Sequence, residues 1–167
     1  MGVNCMKIIV LVLLLLSTPI KTYACSWAES TKEFEYSQVQ APSVVPKKPS
    51  FIVESVSRGH KDGTNCGGFG SIVLKIDPEP KDLGYIFSIA EGSVNELEFL
   101  QEPIVRIEGS SQSGIYSFIW FDGYSNRQEA IDVTLSIVAV SKKNQFSEPQ
   151  FLKLKHPGVK VPWWKIW

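Results

Sequence analysis

The sequence predicts an all-β protein, a seven-stranded antiparallel β-sandwich, and three observations carry that expectation. Seven short runs alternate apolar and polar residues or are rich in β-branched and aromatic side chains. Glycine, proline, serine and asparagine punctuate the stretches between them, as turns require. From residue 48 onward no stretch shows the apolar spacing of an amphipathic helix, so nothing is available to cross over a parallel sheet.

The chain opens on an element of a different kind. Lys7 precedes an unbroken apolar run, Ile8 to Leu16, and the small residues Thr22 and Ala24 stand at −3 and −1 of a cleavage site before Cys25. A basic start, a short apolar run and a small-x-small exit describe a secretory signal peptide over residues 1–24. The run is nine residues long, well short of the about 20 needed to span a bilayer. Export to the periplasm or the exterior is therefore expected. Residues 25–47 read as a polar lead-in segment, with Pro42 and Pro46 favouring extended chain.

The strands follow in order. "SFIVESVS" (50–57) sets Phe51 and Val53 on one face, and "GSIVLKID" (70–77) does the same with Ile72, Leu74 and Ile76. "GYIFSIAEG" (84–92) aligns Tyr85, Phe87 and Ile89 between two glycines, and "EPIVRIEG" (102–109) follows. "GIYSFIWFDG" (114–123) is apolar on both faces: Ile115, Ile119 and Phe121 on one, Tyr116, Phe118 and Trp120 on the other. One face is core. The other is either covered by the lead-in segment or left as an exposed contact strip, with cover the preferred reading. "IDVTLSIVAVS" (131–141) alternates most cleanly, with Val133, Leu135, Ile137 and Ala139 inward, and predicts a strand central in its sheet. "EPQFLKLKH" (148–156) completes the seven.

The C-terminal segment, 157–167, concentrates Trp163, Trp164 and Trp167 in its last five residues. Indoles bury much apolar area and carry one N–H donor, which suits a protein or glycan partner. Folding back to seal one end of the sandwich is the other reading of this segment.

Composition narrows the function. Seventeen basic and seventeen acidic side chains cancel, so no field directs the chain to nucleic acid or anionic lipid. His60, Asp62 and Cys66 lie in a glycine-rich loop, but their spacing matches no metal motif, and no metal or cofactor is expected. "GGFG" (67–70) lacks the lysine of a phosphate loop. The carboxylates Glu96, Glu98, Glu102, Glu108 and Asp122 are scattered rather than paired, so no enzyme is expected and no catalytic residue is assigned. A non-enzymatic exported binding or structural module is the expectation.

Within residues 48–156 the motifs resemble those of the fibronectin type III family. "AVSKKNQFSEP" (139–149) is similar to that family's last hairpin, with Asn144 where the tip needs positive φ. "LGYIFSI" (83–89) resembles its third strand, and "KPSFIVESV" (48–56) its proline-led first strand. The resemblance implies an immunoglobulin-like β-sandwich whose loops carry recognition. The sequence departs from the pattern at Ile76, where the family places a tryptophan, and at Val133, where it places a tyrosine.

Cys25 has three possible fates. Cleavage after Ala24 leaves Cys25 and Cys66 as an even pair in an oxidising compartment, and a disulfide between them is the preferred reading. It would close a loop of about forty residues, an effect of roughly 4 kcal/mol in the chain-entropy treatment. Lipidation of Cys25 would instead make a small envelope lipoprotein with a structural or assembly role, the one route by which a membrane enters. Cleavage after Ala28 would discard Cys25.

Overall fold

The computed structural model describes residues 30–39, 42, 44–59, 68–94, 97–107, 113–123 and 127–160. Among these residues the chain is all-β and antiparallel, in two main sheets that do not close into a barrel. The strands are β1 (Thr31–Glu33), β2 (Ile52–Ser57), β3 (Phe69–Lys75), β4 (Leu83–Glu91), β5 (Ile104–Arg106), β6 (Ile115–Phe121), β7 (Arg127–Gln128), β8 (Ile131–Ser141), β9 (Gln150–His156) and β10 (Val159–Lys160). One sheet runs β1-β5-β4-β8-β9, the other β2-β3-β6, and β7 and β10 pair as a short ribbon.

Each of the seven runs singled out in the sequence contains a strand, and β8 lies between β4 and β9 as its alternation requires. Three more strands appear. β1 comes from the lead-in segment, whose "TKE" carries no apolar alternation to announce it. β7 and β10 are two residues each, too short for any periodic signal.

The core lies between the two sheets because period-two alternation sends every second side chain inward from both. Val133, Leu135, Ile137 and Ala139 of β8 are all buried, facing Ile72 and Leu74 of β3 and Tyr116 and Trp120 of β6 across the core. Aromatic rings meet edge to face in the core: Phe51 with Tyr85 at 5.0 Å and Phe87 with Phe118 at 4.8 Å bridge the sheets, and Phe51 also meets Tyr116 of its own sheet at 5.3 Å. That geometry sets the positive ring edge on the negative face and adds about 0.5–1.5 kcal/mol per pair beyond area burial. A register shift between Val53 and Ser55 turns β2 so that Val56, like Val53, packs toward the core. The amide of Gln150 closes one seam, accepting from the Phe51 N–H at 2.7 Å and donating to the Phe51 carbonyl at 2.7 Å.

Two expectations change on contact with the fold. Gly84 does not precede β4 as punctuation but lies inside it, where a Cβ would collide with the Phe34 ring. The missing side chain makes the socket that buries Phe34 and docks the lead-in segment. Among the described residues, that segment pairs along the β5 edge of the five-stranded sheet and not with β6. Asn144 takes φ 58° at the tip of the β8–β9 hairpin, the left-handed conformation that Asn tolerates.

Candidate functional site

Three features gather around β6 and β5. The first is a groove of about 650 Å³ running beside β1, lined by Lys32, Glu33 and Phe34 on one side and Pro80, Lys81 and Arg106 on the other. The chain dictates its charge: β1 points Lys32 and Glu33 to solvent, and Phe34 plugs the Gly84 socket beneath. Both signs of charge interleave along its rim.

Its floor is tied down. Arg106, at the end of β5, donates through Nε to both oxygens of Glu79, at 2.9 and 3.2 Å. Glu79 sits in the turn after β3 and also accepts from the Gly114 N–H at 2.9 Å and the Tyr116 hydroxyl at 3.2 Å. Both charged side chains are largely buried, so the pair joins the two sheets through side chains removed from water. Burial first, and then the negative charge of Glu79, push the Tyr116 phenol well above its usual range. The neighbouring Tyr85 phenol is raised by the same two causes, and among the described residues its buried hydroxyl has no hydrogen-bond partner.

The second feature lies at the other end of β6. Asp122 accepts from Arg58 Nε and Nη2 at 2.7 Å each, from the Gly59 N–H at 2.7 Å, from Gln128 Nε2 at 3.0 Å and from Trp120 Nε1 at 3.2 Å. Burial works to raise the Asp122 carboxyl, but these donors and the Arg58 charge outweigh it and hold the group below the usual carboxylate range. Arg58 Nη1 also donates to the Glu129 carbonyl at 2.6 Å, so the cluster joins β2, β6, β7 and the start of β8. Tied to these elements by its bonds, it is a structural clamp.

The third feature is the outer face of the three-stranded sheet. Ile115, Ile119 and Phe121 of β6 project away from the core residues Tyr116 and Trp120, as period two demands, and Phe121 is 54% exposed. Phe69 of β3 pairs with Phe121 in register, their rings edge to face at 5.8 Å. The outer face of the other sheet is polar at its Asp132 end, where Thr134 donates to Glu91 at 3.0 Å and Lys153 and Lys155 flank Asp132, and it carries Phe151, 61% exposed, opposite Ser136.

The residues singled out in the sequence fall mostly elsewhere. Cys25, Cys66, Trp163, Trp164, Trp167, His60 and Asp62 lie outside the described residues, as do Glu96 and Glu108. Glu98 and Glu102 are described, and Glu102 receives a hydrogen bond from Tyr36 at 3.4 Å. Asp122, one scattered acid among several in the sequence, is the centre of the clamp. His156 accepts from the Gly158 N–H at 3.0 Å and shapes the turn into β10. Sequence reasoning missed Arg58, Glu79 and Arg106, because each pairs with a residue far along the chain and carries no local motif. No family model, no curated protein and no solved structure matches the chain.

Proposed function

We propose that this chain is an exported, non-enzymatic binding or structural module built on a fibronectin type III-like sandwich. Strand order supports the fold. The first, second and fifth predicted strands (β2, β3, β6) form one sheet, and the fourth, third, sixth and seventh (β5, β4, β8, β9) lie side by side in the other. In a constant-type immunoglobulin sandwich the fourth strand joins the sheet of the first, second and fifth. Its transfer here favours the type III reading.

The groove beside β1 carries the functional reading. Glu79, the carboxylate nearest its floor, is already committed to Arg106, Gly114 and Tyr116, while Lys32, Glu33, Glu35 and Lys81 line its rim with both signs. Such a rim recognises an extended polar segment of a protein or glycan by complementary charges and does not activate a nucleophile.

A photo-crosslinking residue at Lys32 or Lys81, in the exported full chain in cells, tests this. The expected result is one defined adduct from both positions and none from Thr134 on the polar outer face. Equal labelling from all three positions, or none, overturns the groove as a recognition surface. Intact mass of the exported chain tests the compartment: a start at Cys25 with a two-dalton loss supports the disulfide form. A diacylglyceryl increment makes the chain a lipoprotein instead.

A further inference from the structure

The outer face of the three-stranded sheet is built unlike a solvated one. Its rows, read across β2, β3 and β6, are Ile52–Lys75–Ile115, Ser55–Val73–Ser117, Ser57–Ser71–Ile119 and Phe69–Phe121. Large apolar side chains run along it, interrupted by serines, with Lys75 at one end. An antiparallel sheet with one wet face normally alternates apolar inward and polar outward, as the five-stranded sheet does around Asp132 and Thr134. An outward apolar face marks something that covers it.

We propose that residues 161–167 of the same chain cover it, folding back across the outer face of β3 and β6 so that Trp163, Trp164 and Trp167 pack on Val73, Ile119 and Phe121. Three observations support this occupant over others. The first is where the described chain leaves off: Val159 pairs with Gln128, and Gln128 Nε2 is bonded to the Asp122 carbonyl at 3.2 Å, next to Phe121. The segment thus departs close to the Phe69–Phe121 end of the strip. The second is reach, since seven extended residues span about 23 Å and three paired strands are about 10 Å across. The third is chemistry: "VPWWKIW" is apolar but for Lys165, and its indole N–H groups find acceptors in Ser71 and Ser117, which interrupt the strip. This inference is independent of the groove, which lies at the opposite sheet's β1–β5 edge.

The test uses the full mature chain and tryptophan emission under acrylamide quenching. A triple Trp→Phe variant at 163, 164 and 167 supplies the background from Trp27 and Trp120. The expected result is that the three C-terminal indoles are quenched several-fold less than free tryptophan at all protein concentrations, and that Ile119→Glu returns them to the free value. Quenching at the free value in the unaltered chain overturns the proposal. So does protection that appears only as protein concentration rises, which makes a second copy the occupant. A second measurement decides the case in which Ile119→Glu does not fold. A photo-crosslinking residue at Ser117, on the outer face, is expected to join residues 161–167 within one chain. A crosslink between chains, or to another segment, overturns the assignment.

Discussion

At the Tyr116 end of β6 the anchoring carboxylate, Glu79, arrives from the turn after β3, and its arginine arrives from the opposite sheet. At the Trp120 end the carboxylate, Asp122, is the strand's own next residue, and it gathers its donors from β2 and β7. Both pins pair a buried arginine with a buried acid, yet they differ in what else the acid holds. Asp122 collects two arginine N–H groups, a backbone N–H, an amide and an indole, all of which favour its ionised form. Glu79 collects an arginine, a backbone N–H and a phenol, and its charge opposes ionisation of that phenol and of Tyr85 behind it. One end of the strand is therefore organised around a carboxylate that must stay charged, and the other around phenols that must stay neutral.

The largest expected effect comes from removing the acid at the denser end. Asp122→Ala leaves Arg58 buried and unpaired and should cost about 3–5 kcal/mol. Glu79→Ala should cost less, about 1–3 kcal/mol, because its carboxylate is more exposed and loses fewer donors. Urea denaturation of both variants ranks them. A larger loss at Glu79 would break the comparison as drawn.

The next effect tests the Trp120 end by packing alone. A Cβ at Gly70 would run into the Trp120 ring, which is 4% exposed and has nowhere to retreat. Gly70→Ala should cost about 1–3 kcal/mol as overpacking and weaken the Trp120–Asp122 contact, while leaving the Glu79 end intact. The denaturation midpoint and the emission of Trp120 report the two consequences separately.

These pins also show where sequence reading stops. The strands were legible because burial on one face imposes period two, and Val133, Leu135, Ile137 and Ala139 display it without interruption. The β8–β9 hairpin was legible because its tip needs a residue that accepts positive φ, and Asn144 supplies it. The pins were not, because a salt bridge 64 residues apart leaves no periodic trace at either partner. Nor was β1, whose docking depends on an absent side chain at Gly84, some fifty residues from Phe34. The groove inherits that blindness, since β1 forms one of its walls.

A smaller pair of changes sharpens the difference at the Tyr116 end. Tyr116→Phe removes a hydroxyl that donates to a buried carboxylate and should cost about 1 kcal/mol. Tyr85→Phe removes a buried hydroxyl without a hydrogen-bond partner among the described residues and should leave stability unchanged or raise it. Equal losses from both would mean that Tyr85 is also held by a polar contact.

The smallest effect is a change of slope with pH, opposite in sign for the two ends. The folded Asp122 pKa lies below its unfolded value, so its contribution is complete above about pH 4 and is lost as pH falls through the folded pKa. The exposed pairs Asp132–Lys153 and Asp82–Lys142 lower their acids in the same direction, so the acid limb belongs to several groups. Asp122→Asn isolates one share of it: the variant should lose stability less steeply than the parent chain below about pH 4. On the alkaline side the folded phenols of Tyr116 and Tyr85 lie above their unfolded value of about 10. The unfolded chain then sheds protons first, and stability falls as pH rises beyond that value. Tyr116→Phe should flatten this alkaline limb and leave the acid limb untouched, whereas Asp122→Asn should do the reverse. Denaturation midpoints across both ranges would read the two slopes, and a variant that altered both limbs alike would show the ends of β6 to be one coupled unit.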